Sequence, residues 1–262
     1  MKRTYIIAEA NLNTTGKVST VLKMVDAAAD AGANCIKFQA FQKGFDRGKF
    51  DKWVFNEDTW AEIMTHCFET KIDFLCTAFD NASVLMLRKL GQNRWKVPSG
   101  EMSNWDYLDL IASFQEPIYL STGMASIEEV RASVLFLWKR NARRVTLMQC
   151  TTGYPTPLIM SNLRVLETYK RVFKQPVGLS DHTSPMFPEV ACAAVALGAE
   201  VIEKHYTLDR EMEGPDQHMS IEPHELANLV TKIRNVEQAL GDGQKRIMPC
   251  EEEFLDARNR AK

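Results

Sequence analysis

Short runs rich in β-branched and aromatic residues alternate with amphipathic segments through most of this chain. The runs at 4–9, 34–39, 73–77, 94–97, 117–121, 144–150, 176–180 and 200–205 read as strands. Segments with apolar residues at helical spacing follow them at 19–31, 58–70, 81–90, 105–114, 127–139, 162–173, 187–197 and 223–240. Ser126 with Glu129 three residues on forms a capping box before the fifth helix. Strands that alternate with helices imply parallel βαβ crossovers. Eight such units within 262 residues suit a closed (β/α)8 barrel, which takes about 250. A doubly wound open sheet is the structural alternative, but the chain has no G-x-G-x-x-G turn and no P-loop. No linker or low-complexity stretch divides it. The expectation is one α/β TIM-barrel domain over 1–262, ending in a charged tail at 243–262.

Composition limits the partners. Lys and Arg number 32 against 34 Asp and Glu, a net charge of −2. That balance gives no long-range field for nucleic acid or for an anionic membrane. An anionic substrate must therefore be caught by a few placed cations. Six cysteines lie scattered without a C-x-x-C pair, and the five histidines lack zinc-finger spacing. Most of the cysteines sit in apolar runs, where a free thiol behaves as a small hydrophobe. A reducing, cytoplasmic setting follows. Glu9 interrupts the first apolar stretch too early for a signal peptide, and no run approaches a membrane span.

In barrel enzymes the chemistry sits at the C-terminal ends of the strands. Here those ends are polar throughout: Glu9; Lys37 and Gln39; Thr77; Lys96 and Ser99; Ser121-Thr122; Gln149; Ser180-Asp181-His182; Glu203-Lys204-His205. One such ending is ordinary, but eight together point to an enzyme. Lys37 and Lys96 with nearby hydroxyls suit a small polyanion, because charge-assisted hydrogen bonds are the strong ones. His182 and His205 end neighbouring strands and could share one divalent ion. One of them serving instead as an acid/base or core histidine is the plain alternative. Glu9 and Glu203 could orient water or accept a proton, or could form buried salt bridges to Lys37 or Lys96.

Taken in order, AEANLN (8–13), KFQ (37–39), CTAFD (76–80), KVPSG (96–100), LSTGM (120–124), GYPTP (153–157), GLSDHT (178–183), VIEKHYTLDR (201–210), GPDQH (214–218) and LGDGQK (240–245) resemble the sialic acid synthase family. The resemblance covers essentially the whole chain. It implies condensation of phosphoenolpyruvate with an aldose, N-acetylmannosamine or a relative, to give a nine-carbon 3-deoxy-2-ulosonic acid and phosphate. It also implies a divalent cofactor, Mn2+ or Mg2+, with His182 and His205 as its ligands. By the same resemblance Lys37, Thr77, Lys96, Ser99, Ser121 and Ser180 would hold phosphoenolpyruvate. Glu9 and Glu203 would line the reacting centre, and Gln39, Phe79, Tyr154 and Asp216 would contact the sugar. Another metal-dependent barrel aldolase or lyase, or a ligand-binding barrel without turnover, are the competing readings.

Several positions depart from the family pattern. Asn11 replaces a glycine, Thr14 a histidine, Gln217 the histidine of G-P-D-H, and Thr152 an asparagine before Y-P-T-P. They cluster on the expected sugar side, so the phosphoenolpyruvate and metal half is expected to be retained and the sugar half retuned. Family members also carry a short N-terminal hairpin and continue into a small antifreeze-like lid domain. This sequence is expected to lack both: a separate chain could supply the lid, the sequence could be part of a longer one, or the substrate could need no such clamp. A homo-oligomer is a further expectation. The partners expected are small molecules, with no nucleic acid and no membrane.

Overall fold

The computed structural model describes residues 3–255. Eight parallel strands alternate with eight helices. The strands are β1 (Tyr5–Asn11), β2 (Cys35–Ala40), β3 (Asp73–Ala78), β4 (Trp95–Val97), β5 (Ile118–Ser121), β6 (Val145–Cys150), β7 (Val177–Asp181) and β8 (Val201–His205). The helices are α1 (Val18–Asp30), α2 (Glu57–Glu69), α3 (Asn81–Lys89), α4 (Trp105–Ser113), α5 (Ile127–Lys139), α6 (Val165–Phe173), α7 (Pro188–Ala196) and α8 (Pro223–Leu240). Hydrogen-bonded neighbours run β3-β2-β1-β8-β7-β6-β5-β4, so β1 joins β8 and the sheet curls into a barrel.

The seam lies between β3 and β4, and a side chain bridges it. The buried carboxamide of Gln92 accepts from the Cys76 amide (2.8 Å) and donates to the Cys76 carbonyl (3.0 Å). Those two backbone groups would otherwise be buried without a strand partner.

Each strand sends alternate residues inward. The interior is therefore stacked in layers. Tyr5 and Tyr119 lie at the N-terminal end, their rings 6.4 Å apart. Above them Ile7, Cys35, Leu75, Met148 and Val201 form an apolar plug. Position 178 must be glycine, because a Cβ there would meet Met148 Sδ at 2.5 Å and the Val201 carbonyl at 2.7 Å. The next layers up are polar. Outward residues such as Ile36, Trp95 and Leu120 pack under the helices in the main core. Each fully buried side chain of that size stabilises the fold by about 1.5–3 kcal/mol.

The helices begin where the sequence supplies caps. Asn56, Asp80, Asn104 and Ser126 each accept from a backbone amide of the first turn. The capping box at Ser126 and Glu129 is present. Most element ends lie within one residue of expectation, that of β7 at Asp181 among them, and the end of β1 and the start of α6 lie further off. β1 runs on to Asn11 through a register shift after Glu9. α6 starts at Val165 and not at 162, because Asn162 has φ of 43°, outside the right-handed helical region.

The loop after β2 is less polar than its composition implies. Phe41, Phe45, Phe50 and Trp53 stack with Leu12 and Phe79 into a second small core beside the mouth of the barrel. Of the expected tail, Pro249–Phe254 forms a short 3-10 helix, and 256–262 lie outside the described residues. No described helix is long and apolar enough to cross a membrane.

Candidate active site

A cavity of about 230 Å³ opens at the C-terminal end of the barrel. All fourteen candidate residues line it: Glu9, Lys37, Gln39, Thr77, Phe79, Lys96, Ser99, Ser121, Tyr154, Ser180, His182, Glu203, His205 and Asp216. Strand alternation explains the gathering. Glu9, Lys37, Thr77, Lys96, Ser121, Ser180 and Glu203 form one inward layer above the apolar plug. Asn11, Gln39, Cys150, His182 and His205 form the layer above that.

The deeper layer is a charged ring. Lys37 pairs with Glu9 in a short contact and donates to Thr77 Oγ1 at 3.1 Å. Lys96 Nζ lies 3.1 Å from Glu203 Oε1, which also accepts from Ser180 Oγ at 3.0 Å. All four ionic side chains are at most 5% exposed. The salt-bridge alternative for the two glutamates is therefore realised, with both pairs inside the cavity wall.

Their environments push the two carboxyls apart. Burial raises Glu9 to about 7, helped by repulsion from Glu203 and resisted by Lys37. Burial also opposes charge on Glu203, but Lys37 and Lys96, with hydrogen bonds from Lys96 and Ser180, outweigh it and hold it at about 2. Burial lowers Lys37, yet Glu203 and Glu9 raise it by more. Carboxyls separated in this way are suited to different tasks in one site.

Four buried polar atoms here have no hydrogen-bond partner among the described residues: Ser121 Oγ, Glu203 Oε2, Asn11 Oδ1 and His205 Nδ1. An unpaired buried polar group costs about 1–3 kcal/mol, so such groups are rare in native interiors. Four converging on one cavity mark a place built for a polar ligand.

The histidines complete the site. Their ring centroids are 5.3 Å apart. His182 Nδ1 donates to the Thr151 carbonyl at 2.9 Å, which leaves the Nε2 lone pair facing the cavity. Burial, then the neighbouring His182, push His205 well below its usual range, so it is neutral. Burial lowers His182, but its contacts with Cys150 and Thr151 raise it by more. The neutral imidazole is the metal-binding form, and of the two rings His182 has its Nδ1 anchored while His205 Nδ1 has no hydrogen-bond partner among the described residues. The donor set thus fits a metal ion. Tyr154 roofs the pair, its ring 4.4 Å from that of His182 and 5.8 Å from that of His205. Asp216 reaches in from the loop after β8, and Asn11 donates to its carboxylate.

Some strand-end residues do not enter the cavity. Gln149 faces outward and donates to the Ser161 carbonyl at 3.2 Å. Thr122 turns away to the Met148 carbonyl, 2.9 Å off. Asp181 and Lys204 pair behind the wall. Gln217 is buried in loop packing, donating to the Asn13 carbonyl at 3.2 Å. In their place Asn11, Pro98, Gly100, Met124, Cys150 and Thr152 line the space. Cys150 was legible by parity, since it stands two residues beyond the inward Met148. Its reading as a plain hydrophobe is incomplete, because its thiol lies 3.7 Å from His182 Nδ1. Gly123 threads between these groups. A Cβ there would meet Thr152 Oγ1 at 2.4 Å and Ser99 Oγ at 2.8 Å.

Comparison with known proteins shows the family. A family model described as "NeuB family" matches residues 47–245. The chain is 41% identical to N,N'-diacetyllegionaminic acid synthase of Campylobacter jejuni, across 98% of this chain and 83% of that protein. It is 34% identical to mouse N-acetylneuraminate-9-phosphate synthase, across 94% and 74%. A solved N-acetylneuraminic acid (sialic acid) synthetase from Leptospira borgpetersenii superposes with a TM-score of 0.91 at 35% identity, across 99% of this chain and 93% of that one. The chain belongs to the NeuB family, the sialic acid-type synthases that form a carbon–carbon bond with phosphoenolpyruvate.

Proposed function

We propose that this protein condenses phosphoenolpyruvate with an acylated amino-aldose of the N-acetylmannosamine type. The products are a nine-carbon 3-deoxy-2-ulosonic acid and phosphate. The observation that carries this reading is the gathering of two buried ion pairs, Lys37–Glu9 and Lys96–Glu203, in the wall of the cavity that His182 and His205 also line. Lys37 and Lys96, with Thr77, Ser99, Ser121 and Ser180, bind the carboxylate and phosphate of phosphoenolpyruvate. C3 of this enol ester is nucleophilic without a base, so neither lysine needs to form a Schiff base. His182 and His205 would hold Mn2+ or Mg2+, which as a Lewis acid polarises the sugar aldehyde.

Attack by C3 on the aldehyde carbon forms the new bond and leaves positive character at C2. One of Glu9 and Glu203 stabilises that charge, and the other takes the proton of the water that adds there. The tetrahedral intermediate then collapses and phosphate leaves. Gln39, Phe79, Tyr154 and Asp216, at the outer rim, contact the sugar. The relatives named for N,N'-diacetyllegionaminic acid and N-acetylneuraminate-9-phosphate support an acylated sugar. Residues 1–262 work as one barrel domain, with 243–262 as a charged tail. Six free cysteines suit a reducing compartment, the cytoplasm.

The test is phosphate release from phosphoenolpyruvate with Mn2+ and a panel of acylated hexosamines, the product identified by mass spectrometry. No turnover with any of them, while phosphoenolpyruvate and Mn2+ both bind, refutes the reading.

A further inference from the structure

Behind the two histidines the barrel wall holds a buried ion pair that the proposed reaction does not touch. Asp181 and Lys204 are the outward-facing neighbours of His182 and His205. Lys204 Nζ lies 2.9 Å from Asp181 Oδ2, and the side chains are 2% and 1% exposed. The pair is fully satisfied through Thr183. Lys204 also donates to the Thr183 carbonyl at 2.7 Å and to Thr183 Oγ1 at 3.1 Å. Asp181 Oδ1 accepts from the Thr183 amide at 2.9 Å and from its hydroxyl at 2.7 Å. His182 is thus the middle residue of a turn whose two flanks are tied to one ammonium on β8.

The register gives this pair its leverage. Asp181 and Lys204 face each other as the last matched residues of the β7–β8 ladder. His182 and His205 each lie one residue past that last pair. Beyond it the β7–β8 ladder no longer ties the two strand ends to each other: His205 is matched to Glu9 of β1, and the His182 carbonyl accepts from the Thr156 amide at 2.8 Å. A buried ion pair contributes little net stability, because desolvation offsets its attraction, and its best-attested use is to fix register.

We propose that the Asp181–Lys204 pair, closed through Thr183, positions His182 and His205 relative to each other and so sets the affinity for a divalent cation. This rests on the reading of the two histidines as metal ligands. Asp181 and Lys204 are positioning residues; neither touches the ion.

The experiment uses the full chain with Mn2+ alone, free Mn2+ being read by electron paramagnetic resonance. Unfolding without metal is measured in parallel. The double variant Asp181→Leu/Lys204→Met removes both charges and leaves no uncompensated ion. It leaves the buried Thr183 amide, hydroxyl and carbonyl without these partners, so it is expected to be less stable than the parent, and where folded to bind Mn2+ at least ~10-fold more weakly, the lower end of the effect of groups that bond metal ligands directly. Thr183→Val keeps both charges and removes the hydroxyl between them, with an expected loss of roughly 3- to 10-fold. It carries the test if the double variant fails to fold. A folded double variant, or Thr183→Val, that binds Mn2+ within about twofold of the parent overturns the proposal. His205→Ala separates the two levels. If it leaves Mn2+ binding unchanged, the metal-site reading itself falls. If it abolishes binding while the other variants do not weaken it, only the positioning role falls.

Discussion

Lys96→Met is the substitution that most directly probes the charged ring. Lys96 Nζ is almost wholly buried and sits 3.1 Å from Glu203 Oε1. Methionine fills a similar volume, so the packing loss is small and the charge is the main thing removed. Breaking a buried pair by deleting one partner costs about 3–5 kcal/mol, because the surviving charge is left uncompensated. Glu203 is cushioned here. It keeps the hydrogen bond from Ser180 at 3.0 Å and the field of Lys37. The expected destabilisation is therefore the lower end of that range, about 3 kcal/mol by chemical denaturation. Adding Glu203→Gln removes the stranded carboxylate and should recover most of that loss.

Substrate binding should respond differently. A hydrogen bond to a charged group contributes about 1.5–3 kcal/mol. At 1.4 kcal/mol per tenfold, the KM for phosphoenolpyruvate should rise roughly 10- to 150-fold in the single variant. The double variant should show no recovery of KM, since the lysine is still missing. The assay is phosphate release under saturating sugar and Mn2+. A Lys96→Met enzyme with KM within twofold of the parent would refute the placing of phosphoenolpyruvate on this lysine. A double variant no more stable than the single one would refute the stranded-charge argument.

Other expectations follow from the same geometry. Gly178→Ala drives a methyl to within 2.7 Å of a backbone oxygen that has little room to move, so about 1–3 kcal/mol of stability should be lost in urea unfolding. A loss below about 0.5 kcal/mol would contradict the tight layer above Tyr5 and Tyr119. Gln92→Leu leaves the Cys76 amide and carbonyl unpaired at the β3–β4 seam, each group costing about 1–3 kcal/mol. Hydrogen exchange at Cys76 should then accelerate more than exchange within β7. Asn11→Ala frees the Asp216 carboxylate at the sugar rim, so the KM for sugar should rise while that for phosphoenolpyruvate holds. Equal changes in both would argue against a divided site. Glu9 is raised from 4.5 to about 7 in the fold, so the native state binds the extra proton over that window. The Glu9 contribution to stability should therefore fall as pH rises from about 4.5 to 7 and then level off, while His205, lowered in the fold, adds a slope of opposite sign below its usual value. Glu9→Gln should therefore make stability rise more with pH over that window than in the parent, and an unchanged profile would refute the raised Glu9 carboxyl.

The run of eight strand–helix units was readable because burial imposes its period locally. A strand with one face on helices and the other on a packed interior must alternate. A helix over that sheet must repeat near 3.6 residues, as Val21, Met24, Val25 and Ala28 do in α1. Fold class and the level of the site therefore came from pattern alone, since the C-terminal ends of the strands hold the polar residues. The family motifs then carried all fourteen candidates to one cavity.

Three things were decided only by tertiary structure. The first is which member of a polar strand ending faces in: His182 and His205 enter the site, while Asp181, Lys204 and Gln149 do not. That depends on the register of each strand in the closed barrel, which a one-residue slip would invert. The second is pairing. Glu9 meets Lys37 and Glu203 meets Lys96 because curvature brings β1 beside β2 and sets β8 across from β4. Sequence separation carries no information about that. The third is the state of each ionisable group. Two glutamates of identical chemistry sit near 7 and near 2 because burial and two ammonium groups act on them unequally. Those forces exist only once residues about two hundred positions apart are buried side by side in one cavity wall.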